Sequence, residues 1–129
     1  MDFRLGTPER PLVSVVDDDE SVRESLPDLL REFGFAANAF SSAKEFLSSD
    51  RVGQTKCLIL DVAMPDMTGI ELQQELKRLG QSIPIVFITG QRDEGLRNTA
   101  FQQGAKNFLH KPFSDTALLE ALNAILCTN

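Results

Sequence analysis

Four short apolar runs punctuate the chain, Leu12–Val16, Cys57–Leu60, Ile83–Ile88 and Asn107–His110, with little alternation of polar and apolar positions inside them. Continuous apolarity predicts strands covered on both faces. Between the runs, apolar residues recur at helical spacing: Val22, Leu26, Leu29, Leu30 and Phe33; then Ile70, Leu72, Leu76 and Leu79; then Leu118, Leu119, Leu122 and Ile125. Weaker patterns add a strand from Ala36 to Phe40 and helices from Ser42 to Ser48 and from Asp93 to Gln103, giving five β/α pairs. Strands alternating with helices predict βαβ units and a parallel sheet. Gly34, Gly80 and Gly104 each fall just past a predicted helix, where a residue tolerant of positive φ is wanted.

At 129 residues the chain has the size of one domain with a proper core, and we read residues 1–10 as a polar N-terminal extension and 11–127 as that domain. The opening segment is too hydrophilic for a signal peptide and no apolar stretch approaches membrane-spanning length, so a cytoplasmic protein without membrane contact is expected. Nineteen acidic residues against thirteen Lys and Arg give a net charge of −6, and there is no basic stripe. Direct nucleic-acid binding by this chain is therefore not expected. Cys57 falls inside a predicted buried strand and Cys127 near the end, with no CxxC, so both read as structural thiols.

Chemistry concentrates where the strands end. Asp17-Asp18, Asp61, Thr89 and Lys111 each close an apolar run, and the carboxyl ends of parallel strands open onto one crevice. The run Asp17-Asp18-Asp19-Glu20 also suits a helix N-terminus, and Asp61 a turn, but Asp17 and Asp18 directly follow a strand. Three carboxylates in one crevice raise one another's pKa unless a positive group sits among them. A hard divalent cation answers this, and oxygen-only ligands at such density suit Mg2+. A carboxylate beside such a cation can attack phosphorus and form an aspartyl phosphate, with Thr89 and Lys111 placed to contact the phosphoryl oxygens.

These residues resemble the receiver domain of two-component response regulators. The matching pieces are Val15-Val16-Asp17-Asp18, Asp61-Val62-Ala63-Met64-Pro65 with Gly69, Ile88-Thr89-Gly90 and Lys111-Pro112-Phe113, and the likeness covers about residues 11 to 126. The stretches Val86-Phe87-Ile88-Thr89-Gly90-Gln91 and Asn107 to Phe113 are most similar to the FixJ-type branch, whose members usually carry a C-terminal helix-turn-helix. The resemblance implies a flavodoxin-like, doubly wound five-stranded parallel sheet in the order 2-1-3-4-5 with five helices. It implies a phosphoacceptor switch rather than an enzyme, with Asp61 taking a phosphoryl group from a sensor histidine kinase. Asp18 and Asp61 would bind Mg2+ directly, Asp17 mainly through water, and the backbone carbonyl of Ala63 would complete the set. Thr89 would be the switch hydroxyl, Lys111 the phosphoryl-binding ammonium, and Phe108 the aromatic switch, inward in the active state.

By the same resemblance, the output surface is the helix after Thr89 with the last strand and last helix. It would meet an output domain or a second receiver and control transcription through a DNA-binding domain not present in this chain. On that helix Leu96, Ala100 and Gly104 share one stripe, assigned to the sheet, while Arg97 and Phe101 share another, offered as an output face. Phe101 is equally readable as core. His110 is read as a strand-end residue. Pro27 falls inside the first helical pattern and should kink that helix or move its start. Two other classes fit less well. A phosphatase of the haloacid-dehalogenase type would carry an acid two residues after its nucleophile, where Ala63 stands. A nucleotide- or flavin-binding module would carry a glycine-rich phosphate loop after the first strand, where Asp17-Asp18 stands.

Overall fold

The apolar runs become the strands of one parallel sheet. The computed structural model describes residues 10–90 and 94–126. In chain order it contains β1 (Leu12–Val16), α1 (Glu20–Glu32), β2 (Ala36–Phe40), α2 (Ala43–Leu47), a 3-10 turn (Val52–Gln54) and β3 (Thr55–Asp61). These are followed by α3 (Gly69–Arg78), β4 (Ile85–Thr89), α4 (Glu94–Gln102), β5 (Asn107–His110) and α5 (Asp115–Leu126). Five strands pair in the order β2-β1-β3-β4-β5, the doubly wound arrangement expected from the sequence.

Period-two geometry in β3 explains why its run is apolar throughout. Cys57 and Ile59 face the layer holding Leu26, Leu30, Leu118 and Leu122 of α1 and α5, whereas Leu58 and Leu60 face Phe46, Leu72, Leu76 and Ala100 of α2, α3 and α4. Each fully buried Leu or Ile contributes about 1.5–3 kcal/mol through area removed from water. Burial on both faces is what demands Val, Leu and Ile at consecutive positions.

The helix boundaries follow from capping. Asp19 accepts from the Ser21 N–H at 3.0 Å and starts α1. Ser42 caps α2, and Thr68 with Glu71 forms a reciprocal capping box on α3. Gly34, Gly80 and Gly104 leave their helices at φ of 99°, 77° and 104°. Pro27 does not move the start of α1, which runs unbroken from Glu20 to Glu32 with Pro27 buried. Its ring fills core space, which offsets the hydrogen bond it cannot donate. Three expectations change in detail. Strand β3 begins at Thr55, because the Ser14 and Thr55 hydroxyls bond at 2.7 Å and draw the chain into the sheet two residues early. Strand β4 begins at Ile85, after Pro84, which has no N–H for a ladder. Gly104 lies exposed beyond the end of α4 and terminates that helix, so only Leu96 and Ala100 of its stripe pack inward. Asp93 and Cys127 lie outside the described residues.

Candidate functional site

Register stacks the strand-end residues like steps. Val16 pairs with Leu60, so Asp17 stands level with Asp61; Asp61 pairs with Ile88, which puts Thr89 one residue further along; Thr89 pairs with His110, which puts Lys111 one further again. Backbone bonds pin these positions: Asp17 N–H to the Phe40 carbonyl at 3.1 Å, Val62 N–H to the Ile88 carbonyl at 3.0 Å and Lys111 N–H to the Thr89 carbonyl at 2.8 Å. Asp17, Asp61 and Thr89 are all buried.

Among the described residues, Asp17, Asp18 and Asp61 offer one carboxylate oxygen each within 4.8 Å of one another. Asp17 Oδ1 accepts the Asp19 N–H at 2.9 Å, and its Oδ2 lies 2.8 Å from Lys111 Nζ. The same ammonium stands 4.0 Å from Asp61 Oδ2. Asp18 is the exposed member of the trio. Burial and then the neighbouring Asp17 carboxylate push the Asp61 carboxyl up to about 7, against the opposing pull of Lys111. Burial disfavours the Lys111 ammonium, yet Asp17 and Asp61 outweigh it and hold its pKa above the ordinary lysine value. The donor set is all oxygen, with no histidine or thiol, and one ammonium opposes three carboxylates. Such a cluster fits a hard divalent cation.

Two further residues support the site. Gly69 opens α3 against the acceptor strand, donating to the Val62 carbonyl at 2.9 Å. A Cβ at Gly69 would collide with the Asp61 carbonyl oxygen and come within 3.0 Å of the Phe87 ring. Arg23, one turn into α1, donates from Nη1 to the Asp17 carbonyl at 3.0 Å and so fixes the acidic loop from behind. Gly69 stands in a stretch that carries the receiver-domain resemblance, whereas an arginine on a half-exposed helix face is too common to be singled out by pattern.

Beyond Thr89 the remaining sequence candidates assemble along α4 and β5. Phe108 is 7% exposed and packs inward against Phe87, with centroids 6.0 Å apart, while Phe101 and His110 contact it at 6.4 and 5.9 Å. Phe101 is 37% exposed, so it is neither core nor free. The Arg97 guanidinium lies 4.9 Å from its ring centroid. Cys57 is free and buried, and burial pushes its thiol up to about 12, as a structural thiol requires.

A parallel sheet with an acidic trio and a lysine at its carboxyl edge defines a class, and comparison with known proteins identifies it. Residues 13–123 match the family model described as the response regulator receiver domain, and the chain belongs to that family. It is 43% identical over 115 residues to the response regulator protein TodT of Pseudomonas putida, covering 89% of this chain and 51% of that protein. It is 40% identical over 119 residues to the transcriptional regulatory protein FixJ of Azorhizobium caulinodans, covering 92% of this chain and 56% of that protein. The solved structure of the response regulator StyR superposes with a TM-score of 0.84 at 48% identity, covering 92% of this chain and 60% of that one. The chain thus spans about half the length of the curated relatives it matches. Receiver domains are phosphoacceptor switches of two-component systems rather than classical enzymes, and they work with histidine kinases. Among the described residues no helix is long and apolar enough to cross a membrane.

Proposed function

We propose that this chain accepts a phosphoryl group on Asp61 from a phosphohistidine of a sensor histidine kinase, and that the acquired group switches the α4–β5–α5 face. The observation that carries the reading is the meeting of Asp17, Asp18 and Asp61 around the Lys111 ammonium at one sheet edge. Asp18 and Asp61 would hold Mg2+ directly and Asp17 through water, and the Ala63 carbonyl would add a further oxygen. When bound, the cation would supply neutralisation of the charge that develops on the transferring group.

Asp61 presents an oxygen to phosphorus as the phosphorus–nitrogen bond to the donor histidine breaks. The bonding pair returns to the imidazole, which takes a proton as it leaves. Lys111 is held by Asp17 with its ammonium already facing Asp61, so it pairs with the incoming phosphoryl oxygens without first being ordered. Attack of water on the same phosphorus returns the free carboxylate, which makes the chain the agent of its own resetting. Thr89, at the end of β4, offers its hydroxyl to the phosphoryl group and draws the following loop inward. Phe108 responds from the next strand, its inward packing marking the active arrangement.

The receiver occupies residues 11–127 after a short extension, residues 1–10, in a cytoplasmic protein. This chain spans about half of relatives such as the transcriptional regulatory protein FixJ, and by analogy with them the output is transcription, exercised through a C-terminal DNA-binding domain or a second receiver meeting the face of Arg97 and Phe101. Incubation with Mg2+ and acetyl phosphate tests the reading by intact mass. One phosphoryl group should be gained by the wild type and none by Asp61→Asn. Equal gain by both would overturn it.

A further inference from the structure

Gln73 lies one turn into α3, four residues after Gly69, and is 5% exposed. Its Nε2 donates to the Ala100 carbonyl of α4 at 3.1 Å, a bond between residues 27 apart in sequence. Ala100 is fully buried, and the next residue is Phe101 on the face shared with Arg97. The N-terminus of the same helix rests on the acceptor strand, because Gly69 donates to Val62 and has no room for a Cβ against the Asp61 carbonyl. One rigid turn of helix therefore joins the Asp61 loop to the backbone of α4.

The contact is polar among apolar neighbours. Leu72 and Leu76 on either side of Gln73 belong to the core cluster, as does Ala100. Since Nε2 must face the Ala100 carbonyl, Gln73 Oε1 is turned away from it, and among the described residues that oxygen has no hydrogen-bond partner; nor has the buried Oε1 of Gln103. Both residues line a cleft of about 410 Å³ between the end of α3, the start of β4 and the turn after α4. A leucine would bury more favourably at such a position, where a half-satisfied amide carries a desolvation cost. What the amide supplies instead is a single directional bond that holds α4 at one height and is lost when α4 shifts. Packed interfaces in general switch between discrete arrangements rather than deforming continuously, and a single directional bond of this kind distinguishes one from another.

We propose that Gln73 is a positioning residue that couples the Asp61 loop to α4, holding α4 in the arrangement that keeps Phe108 inward. It acts beside the Thr89 route and rests on the phosphoacceptor reading. The test uses beryllofluoride, a phosphoryl mimic, with Mg2+ on the 129-residue chain, comparing wild type with Gln73→Met and Gln73→Glu. Methionine matches the volume and cannot donate; glutamate keeps the length and, ionised, can only accept. Mg2+ affinity should be unchanged, while apparent beryllofluoride affinity falls about 3–10-fold. Without the mimic, the Phe101 and Phe108 amide shifts should already move in the direction opposite to that produced by beryllofluoride. Either variant suffices if the other fails to fold. A folded variant with wild-type affinity and wild-type shifts at Phe101 and Phe108 overturns the coupling. If wild type takes up no beryllofluoride but the variants still displace those two amides, the phosphoacceptor reading fails and the α3–α4 coupling stands.

Discussion

The Lys111 ammonium lies 2.8 Å from Asp17 and 4.0 Å from Asp61, ion-paired with one carboxylate and poised beside the other. Asp17 is fully buried, and that ammonium is the charged partner of its Oδ2. Replacing Lys111 by methionine keeps most of the apolar stem and removes the compensation. Breaking a buried pair from one side costs about 3–5 kcal/mol, and the partial exposure of Lys111 reduces this to about 1–3 kcal/mol. The denaturant midpoint of Lys111→Met should fall accordingly. In the same variant, carboxyl NMR should find the Asp61 titration shifted upward, because the positive charge opposing its rise has gone while the Ala63 N–H bond remains. An unmoved titration would mean that Lys111 does not act on Asp61.

Asp61 makes stability depend on pH with a definite sign. Its folded-state pKa is raised to about 7, so between the ordinary carboxylate value and 7 the folded state binds more protons than the unfolded one. Stability from this group is therefore greatest at low pH and is lost as pH rises through that window. Asp61→Asn removes the titration. In metal-free buffer at pH 8 the variant should be more stable by about 1–2 kcal/mol, several degrees in Tm, with the gap narrowing as pH falls through 7 and closing only near the ordinary carboxylate value. Melts with a pH-independent gap would show that Asp61 does not titrate in this range.

Gly69→Ala should disturb both the fold and the site. The added methyl meets the Asp61 carbonyl and the Phe87 ring, and backbone cannot yield as a flexible side chain can. A loss of about 1–3 kcal/mol is expected, with weaker Mg2+ binding because the β3–α3 loop must move. Calorimetry of both proteins with and without Mg2+ measures the two effects together. Full stability with wild-type metal affinity would contradict the close packing at this glycine.

Most of the sheet was legible because burial on both faces leaves a run of apolar residues whatever the neighbours are. Val13, Val15 and Val16 announce β1 without any knowledge of β3. The carboxylates were legible for the same reason, since Asp17 and Asp61 interrupt such runs at their ends. What remained hidden depends on partners distant in sequence. The early start of β3 comes from a bond between Ser14 and Thr55, 41 residues apart. Gln73 looks like a solvated helix residue until α4 is packed over it, and Arg23 until the Asp17 carbonyl turns toward α1. The half-exposure of Phe101 likewise follows from the Arg97 and Phe108 contacts, not from helical spacing alone.

Thr89→Ala should separate chemistry from response. The hydroxyl is not the nucleophile, so phosphorylation of Asp61 continues, while the pull on the loop after β4 is lost. Amide shifts of residues 94–110 should change less than half as much on phosphorylation as they do in the wild type. The full wild-type shift pattern in the phosphorylated variant would remove the threonine from the switch.

The identity of the modified residue tests the central claim most directly. After reaction with Mg2+ and acetyl phosphate, borohydride reduction converts an aspartyl phosphate to homoserine, which peptide mass mapping locates. The account predicts homoserine at position 61, dependent on Mg2+ and absent when Asp18 is replaced by alanine. Phosphate found on a serine, threonine or histidine, or homoserine at any other aspartate, would contradict it.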